Sequence, residues 1–344
     1  MVRTGATSYI KYDWEGTFGT SAFTSNDKAF GLNARLGSWT LGHSPKDLPM
    51  LNQVEIRDYA YGQQNGSLSV DFVLSNPWIF KALYGNSTFA SATPNTHTWG
   101  TAGGNSGAKT ITPFSVEIGV AAQSPAPVIV RQATGCILNS LSLGTAIDDT
   151  VNCSADVSYG NEANDTTSID ATPPEDDVRF PYTFAHGELR WRGDDGRTAL
   201  DATSVVAELQ TANVTFGQNP ALLYSIGSNK AVSSFRRVLD ITGNFQASWI
   251  NNNKLRQLLD QIATVPVRDI GTDGSANAAV TLTFKNGATG AAERNITISL
   301  DGVRPDSISI DGIVPVEPIF ETINWRAKTA AVIASNPATA NQYG

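Results

Sequence analysis

The side chains that commonly carry out chemistry are sparse in this sequence, and their spacing matches no familiar catalytic arrangement. The histidines are His43, His97 and His186, and none belongs to an H-E-x-x-H pair or to a Cys/His metal spacing. The sequence also lacks a G-x-S-x-G nucleophile motif, a G-x-x-x-x-G-K-[ST] phosphate loop and a G-x-G-x-x-G turn after a strand. We therefore predict that the protein is not an enzyme and uses no cofactor.

Two acidic runs and the tryptophans are the remaining candidates for a binding site. The runs 175–179 and 193–197 bunch carboxylates, but neither has the ligand spacing of a calcium-binding loop, so we predict no metal site there. The seven tryptophans are scattered through strand-like segments. We expect them to pack in the core or at interfaces rather than to form a platform for sugars.

Composition limits the class of partner. The 344 residues are 41% hydrophobic and 16% charged, and the net charge is −8. An acidic chain is poorly suited to gripping nucleic acid, because phosphate binding relies on Lys and Arg. No apolar run approaches the length of a membrane span or of a signal peptide core, so we predict no membrane partner. The two cysteines, Cys136 and Cys153, are expected to be buried thiols.

Alternating polar and apolar residues separated by glycine turns predict a chain made mainly of β-strands. The segments "VEIRDYAYG" and "SLSVDFVLS" are joined by "QQNG" and predict a hairpin. The segment "NPWIFKALYG" that follows predicts a short helix, in which Asn76 caps the start, Pro77 takes the first position and Gly85 ends it.

A weaker copy of this passage occurs later in the chain. "TGNFQASWINNNKLRQLL" repeats the order of glycine turn, strand, Asn and short helix, and Gly66 and Gly243 are 177 positions apart. At the same offset Phe72 corresponds to Trp249. We predict two tandem β-sandwich or β-barrel domains, each with one short α-helix and long loops.

The composition shifts along the chain suggest where these domains begin and end. The predicted division is an N-terminal arm at 1–33, a first β domain at 34–160, an acidic loop with connecting strands at 161–203, a second β domain at 204–328 and a C-terminal tail at 329–344.

A long loop precedes the glycine turn in each half, at Gly42–Gln53 and at Gln218–Arg236. Long ordered loops are usually functional, and exposed apolar residues on them favour a partner. The residues expected to make such contacts are His43, Lys46, Leu48, Met50, Leu51, Leu222, Leu223, Tyr224, Ser228 and Arg236.

An ordered set of stretches resembles the major tail tube proteins of long-tailed phages and tailed archaeal viruses. The set comprises "GSLSVDFVLSNPWIFKALYG", "TGCILNSLSLG", "VNCSADVSYG", "FPYTFAHGELRW", "ELQTANVTFGQNPALLYSIGS" and "ITGNFQASW". The chain carries the unit twice, and some duplicated members of this family build each ring from three subunits. The resemblance therefore implies trimeric rings with pseudo-six-fold symmetry that stack into a tube.

The resemblance also implies a location and a set of partners. The protein would assemble in the host cytoplasm into the virion tail, and would contact tail terminator, baseplate or tip, and tape-measure proteins. Its acidic lumen would conduct double-stranded DNA without binding it specifically, because a negative wall repels phosphate. Candidate lumen-facing residues are Glu55, Arg57 and Asp71. The long loops at Gly42–Gln53 and Gln218–Arg236 would contact the next ring.

Two other functions remain open at this point. A β-sandwich adhesin or carbohydrate-binding module would share the strand pattern and would expose tryptophan to a ligand. Another tail, baseplate or injection-system tube component would share the whole resemblance.

Overall fold

A computed structural model of the chain describes residues 8–20, 23, 27–49, 56–60, 62–90, 95–100, 111–120, 129–165, 181–192, 209–248, 279–289, 293–310 and 319–336. These residues form β-strands almost throughout, with one short helix, α1 at Phe80–Tyr84. The predicted mainly β fold is confirmed.

The strands fall into a first and a second half of the chain. Those of the first half are β1 Ser8–Trp14, β2 Lys28–Ala29, β3 Leu32–His43, β4 Lys46–Pro49, β5 Ile56–Ala60, β6 Gln64–Val73, β7 Thr88–Ala90, β8 Asn95–Gly100, β9 Phe114–Val120, β10 Ile129–Ala146, β11 Asn152–Tyr159 and β12 Asn161–Asp165. Those of the second half are β13 Thr183–Arg192, β14 Leu209–Gly217, β15 Ala221–Tyr224, β16 Ala231–Phe235, β17 Asp240–Ser248, β18 Ala279–Lys285, β19 Asn295–Asp301, β20 Arg304–Ile310, β21 Phe320–Ala327 and β22 Thr329–Asn336.

β10 belongs to two sheets. Its first part pairs with β9 and β12, and its second part pairs with β11 and β14. The change falls near Gly135, whose φ of 64° is a left-handed conformation that glycine adopts at little cost. The buried carboxylate of Glu15 fixes this bend, since it accepts hydrogen bonds from Gly135 N at 2.7 Å and Ser115 Oγ at 2.6 Å. Burial raises the pKa of Glu15, although these hydrogen bonds oppose the shift.

The second part of β10 lies in the middle of an antiparallel sheet of eight strands, called here the long sheet. Its strand order is β3-β6-β11-β10-β14-β17-β21-β20. The first four strands come from the first half of the chain and the last four from the second half. Within each group the strand that comes last in the sequence is third in the sheet. The same four-strand unit therefore occurs twice, side by side.

Two further sheets pack on one face of the long sheet. The first short sheet has the order β2-β1-β9-β10-β12, and the second has the order β13-β18-β19-β22-β8-β7. The run β1-β9-β10-β12 repeats as β13-β18-β19-β22. Where β10 is continuous in the first half, the second half has β19 and β20 separated at Gly302, whose φ is 62°.

Alternation explains why these segments are strands with one buried face. Along β6 the side chains of Leu68, Val70 and Phe72 are buried, whereas those of Ser67 and Asp71, which point to the other face, are exposed. One continuous core cluster contains residues of the long sheet and of both short sheets. The architecture is therefore a β-sandwich whose long layer spans both halves.

The helix lies as predicted but begins slightly later. Asn76 Oδ1 accepts a hydrogen bond from Trp78 N at 3.2 Å in a turn that precedes the first helical residue, Phe80. Gly85 ends the helix with a φ of 78°. Phe80 packs across the core against Phe216 of the second half, with ring centroids 6.3 Å apart. The short helix predicted at the end of "TGNFQASWINNNKLRQLL" lies outside the described residues.

The structure differs from the sequence expectations in three details. β6 pairs with β3 rather than with the "VEIRDYAYG" segment, whose described part, β5, pairs with β4. The long loops are therefore two β-hairpins, β4–β5 and β15–β16. The arm at 1–33 contains β1, and the tail at 329–344 contains β22, because both segments pair with strands of the short sheets.

Segment 161–203 contributes β12 to the first short sheet and β13 to the second. In addition, β8 of the first half pairs with β22 of the second half, so the halves interlock. The division into two domains stays a prediction.

Phe72 provides a test of the strand orientation, because its side chain is buried in the core. Phe72→Ala is expected to lower the free energy of unfolding by about 3–5 kcal/mol, through lost burial and the cavity left behind. Chemical denaturation checks this, with Ser69→Ala on the opposite face as the control, for which about 0.5 kcal/mol or less is expected. An equal effect of the two substitutions would mean that the assigned faces are wrong.

Candidate functional site

The face of the long sheet that points away from the core is polar and carries few charges. The pairing of neighbouring strands shows which residues lie on this face, and most of them are Ser, Thr, Asn and Gly. They include Ser38, Thr40, Asn65, Ser67, Ser69, Ser140, Ser142, Gly144, Asn152, Ser154, Ser158, Thr211, Asn213, Thr215, Thr242, Asn244, Gln246, Ser307, Ser309, Thr322 and Asn324. A broad sheet face of small polar side chains is suited to contact with water rather than with a protein core.

Acidic and basic side chains are nearly balanced on this polar face. Within its described part the charged residues are Asp71, Asp156, Asp240, Asp306, Arg35 and Arg326, with Arg304 at the margin. Arg326 Nε donates to Asp306 Oδ2 at 2.6 Å. The net charge of −8 is thus not concentrated here, and the surface of this sheet is close to neutral.

The polar side chains on this face hydrogen-bond to one another across the strands. Asn213 Nδ2 donates to Asn244 Oδ1 at 2.8 Å, and Asn324 Nδ2 donates to Ser307 Oγ at 2.8 Å. Asn244 and Asn324 are directly opposite in the pairing of β17 and β21. These bonds use donors that could otherwise bind an anion. The face therefore has little capacity to hold phosphate, which is bound most strongly by Lys and Arg.

The two outermost strands of the long sheet, β3 and β20, expose apolar side chains. Leu41 on β3 is 38% exposed and Ile310 on β20 is 39% exposed, although both lie on the face that packs in the core elsewhere in the sheet. Within the described part of the chain, the outer edge of neither strand is paired. An unpaired edge with exposed aliphatic residues favours addition of another strand.

A buried carboxylate holds β3 against the rest of the first half. Glu162 Oε2 accepts hydrogen bonds from Trp39 Nε1 at 3.0 Å and from Tyr159 OH at 2.6 Å. Its other oxygen, Oε1, accepts from Arg131 Nε at 2.7 Å. Arg131 also lies over the Trp39 ring, 5.0 Å from its centroid. These contacts join β3, β10, β11 and β12.

The pKa of Glu162 results from two opposing effects. Burial alone would raise it, but the hydrogen bonds from Tyr159, Trp39 and Arg131, together with the positive charge of Arg131, lower it below its usual value. Glu162 therefore stabilises the fold in its ionised form.

The hairpins β4–β5 and β15–β16 leave the same end of the long sheet. β3 and β14 are four strands apart in an antiparallel sheet, so they run in the same direction, and each is followed by its hairpin. At the base of β15–β16, Tyr224 OH donates to Gln64 O at 2.8 Å, and Gln64 N donates to Asn229 O at 2.8 Å. The hairpin of the second half thus rests on the first half.

The outer part of the β15–β16 hairpin is apolar and exposed. Ile226 in its turn is fully exposed, and its neighbours Leu223, Val232 and Phe235 are also exposed. Val238 follows β16 and is exposed too. Several large apolar side chains at one end of a molecule mark a surface for another protein.

The residues predicted for contact loops are divided between exposed and anchored positions. His43 and Lys46 are exposed at the end of β3 and the start of β4, and Leu223 is exposed on β15. Leu222 and Tyr224 lie on β15, where Tyr224 anchors the hairpin base.

Ser228 shapes the turn of β15–β16, where its hydroxyl bonds both the N–H and the carbonyl of Lys230. Arg236 is half-buried, and burial lowers its pKa. Leu48 lies on β4, whereas Met50 and Leu51 are outside the described residues.

The residues predicted to face a lumen do not lie together. Asp71 is on the polar face, where its Oδ1 accepts a hydrogen bond from Ser154 Oγ at 2.6 Å. Arg57 lies on β5 in the separate β4–β5 hairpin. Glu55 falls outside the described residues. The exposed edges and the Glu162 cluster were missed, because Trp39 and Glu162 are 123 positions apart and no local pattern relates them.

The remaining reactive groups in the described residues are buried or scattered. No group of three or more His, Cys, Asp or Glu side chains among them is placed to hold a metal ion. Cys136 and Cys153 are buried free thiols, and burial raises the pKa of both. Among the described residues, no helix is both long enough and apolar enough to cross a membrane.

Comparison with known proteins identifies a family for the chain. The family model described as phage tail tube protein matches residues 5–327 of the chain. None of the curated proteins that were compared matches it.

The Glu162 cluster predicts a pH dependence of stability. The folded state lowers the pKa of Glu162, so its stabilisation is present above the ordinary glutamate pKa and is lost as the pH falls through the folded-state value. Glu162→Gln is expected to reduce the free energy of unfolding by about 1.5–3 kcal/mol at pH 7, and by less in acid.

Denaturation at several pH values checks this. The half-exposed carboxylate of Glu188 beside Arg190 provides the control, because Glu188→Gln removes only a pair near the surface worth about 0–1 kcal/mol. A loss for Glu162→Gln that is the same at pH 3 and pH 7 would contradict the role given to the ionised carboxylate.

Proposed function

Because the chain belongs to the phage tail tube protein family, we propose that three copies join edge to edge into a ring, and that stacked rings conduct double-stranded DNA. The chain is a structural component of the virion tail that associates with itself into a tube. The number of chains in a ring, the lining of the lumen and the passage of DNA are the proposed parts.

One observation carries the proposal: the four-strand unit that occurs twice in the long sheet. A ring of three chains has six such units and therefore pseudo-six-fold symmetry. It places 24 strands around the axis, three times the eight of one chain. Barrels of roughly 16–18 strands already enclose an aqueous channel, so a larger barrel has room for a wide lumen. Closure also removes the exposed edges of β3 and β20.

The polar face of the long sheet is the surface that fits the lumen. The opposite face is occupied by the core and the short sheets, so only the polar face remains to line a channel. Its side chains are mainly neutral, and many bond to one another across the strands, as Asn213 does to Asn244. DNA would slide past such a wall because few cationic groups grip phosphate, rather than because a strongly acidic wall repels it.

Stacking of rings is assigned to the two hairpins. Both leave the same end of the long sheet, so in a ring all hairpins point along the axis in one direction. The exposed apolar turn of β15–β16 around Ile226 would be covered by the next ring. Tail terminator, baseplate or tip, and tape-measure proteins would meet the tube at its ends or in its lumen, following assembly in the host cytoplasm.

A carbohydrate-binding or adhesin function receives little support from the described tryptophans. Trp99 and Trp325 are buried in the core, and Trp14, Trp39 and Trp78 pack against it. A sugar platform needs exposed aromatic faces, which these five side chains do not provide.

Ile226→Asp tests the stacking surface. The substitution places a charge at the exposed tip of β15–β16, so folding and ring formation should be unchanged while growth into tubes is lost. Negative-stain electron microscopy of the purified protein, with size-exclusion chromatography, distinguishes rings from tubes. Ile129→Asp, the same change at an exposed isoleucine of the first short sheet, should still form tubes. Tubes of normal length from Ile226→Asp would contradict the assignment.

A further inference from the structure

We infer that β20 of one chain pairs with β3 of the next chain in the register that β10 and β14 use within a single chain. The inference rests on the proposed ring and specifies which residues meet in it. The contact between the two halves of one chain serves as the template for the contact between chains, because each half presents the same four-strand unit.

The equivalence of β10 and β20 is set by two irregular positions. Gly135 and Gly302 have φ values of 64° and 62°, and each lies where the chain passes from a short sheet into the long sheet. Beyond each glycine, the pairing with the next strand contains one extra residue, Asn139 in the first half and Asp306 in the second. The two glycines are 167 positions apart, and so are the two extra residues. Ser140 therefore corresponds to Ser307.

The equivalence of β3 and β14 follows from the pairing across each unit. Starting from Leu141 and its counterpart Ile308, the partners on successive strands are Ala155 and Ile323, then Val70 and Phe245, then Leu36 and Ala212. Four residues earlier along β6 and β17, Gly66 pairs with Leu41 and Ile241 pairs with Phe216. Leu41 therefore corresponds to Phe216, 175 positions later.

This register corrects the sequence analysis. The offset of 177 that aligned Gly66 with Gly243 is two residues too long, since the pairing aligns Leu68 with Gly243. A shift of two residues keeps every side chain on the same face, so the alternation of polar and apolar residues could not detect it.

The residue pairs within one chain predict the residue pairs between chains. Ser140 pairs with Gly217 and Ser142 pairs with Thr215. The corresponding pairs between chains are Ser307 with Gly42, and Ser309 with Thr40. All of these positions lie on the polar face, so the lumen wall would continue from one chain to the next without a change in chemistry.

The opposite face gives an independent check of this register. Within the chain, Leu141 pairs with Phe216, and both side chains are fully buried. The corresponding pair between chains is Ile308 with Leu41, followed by Ile310 with Trp39. These positions include the aliphatic side chains that a single chain leaves exposed, Leu41 at 38% and Ile310 at 39%. Pairing in this register covers both, which stabilises the contact.

The direction of the strands is also compatible with closure. Eight antiparallel strands make β3 and β20 run in opposite directions, so β20 meets β3 of an identically oriented neighbour as an antiparallel pair. An odd number of strands would have required either a parallel contact or an inverted neighbour. Every chain in the ring can therefore have the same orientation, as a cyclic ring requires.

A cysteine pair tests the register directly. A chain that carries Thr40→Cys and Ser309→Cys should form disulfides between chains on mild oxidation, because the two positions are predicted to be direct neighbours. Both side chains are exposed in the single chain, so folding should be unaffected. The native Cys136 and Cys153 are buried and should not react. Non-reducing electrophoresis should show covalent products that end at three chains.

The matched control moves one cysteine by two residues along the same face. A chain with Ser38→Cys and Ser309→Cys should crosslink at least ten-fold more slowly. Rings that crosslink faster through Ser38→Cys, or through neither pair, would overturn the register while leaving the proposed ring intact. A wild-type chain that forms no rings under any condition would overturn the ring, and the register with it.

Discussion

Backbone hydrogen bonding at the two ends of an open β-sheet is the constraint on which this structure depends. Each interior strand of the long sheet has its N–H and C=O groups paired on both sides, but β3 and β20 are paired on one side only within the described residues. Both strands also expose aliphatic side chains at that edge, among them Leu36, Leu41 and Ile310. In an isolated chain these two edges leave backbone N–H and C=O groups without a strand partner. A closed ring of chains pairs both edges.

Duplication of the four-strand unit makes closure by three chains possible. Because the unit has an even number of strands, each copy joins the next as an antiparallel pair, whether the junction lies within a chain or between chains. The bends at Gly135 and Gly302 carry the chain from a short sheet into the long sheet, and this arrangement places the core on one side only. The other side of the long sheet is left as a continuous polar surface, rich in Ser, Thr and Asn and nearly neutral.

Sequence reasoning predicted the elements better than their partners. The alternation in β6 and the glycine that ends α1 are local signals, and both led to the correct element. The partner of β5 was predicted wrongly, because alternation shows that a segment is a strand but not which strand it joins. The repeat offset was wrong by two residues for the related reason that such a shift preserves the buried face. Edge residues such as Leu41 and Ile310 are of the same types as core residues, so only the sheet order reveals that they are exposed.

The number of chains in one ring of the assembled tube is the decisive measurement for the proposed trimer. Cryo-electron microscopy of tubes grown from the purified protein would resolve each ring in cross-section. We expect three chains in each ring, with six similar lobes and a lumen wall formed by the polar face of the long sheets. A ring of six chains, or a lumen lined by the short sheets, would contradict it.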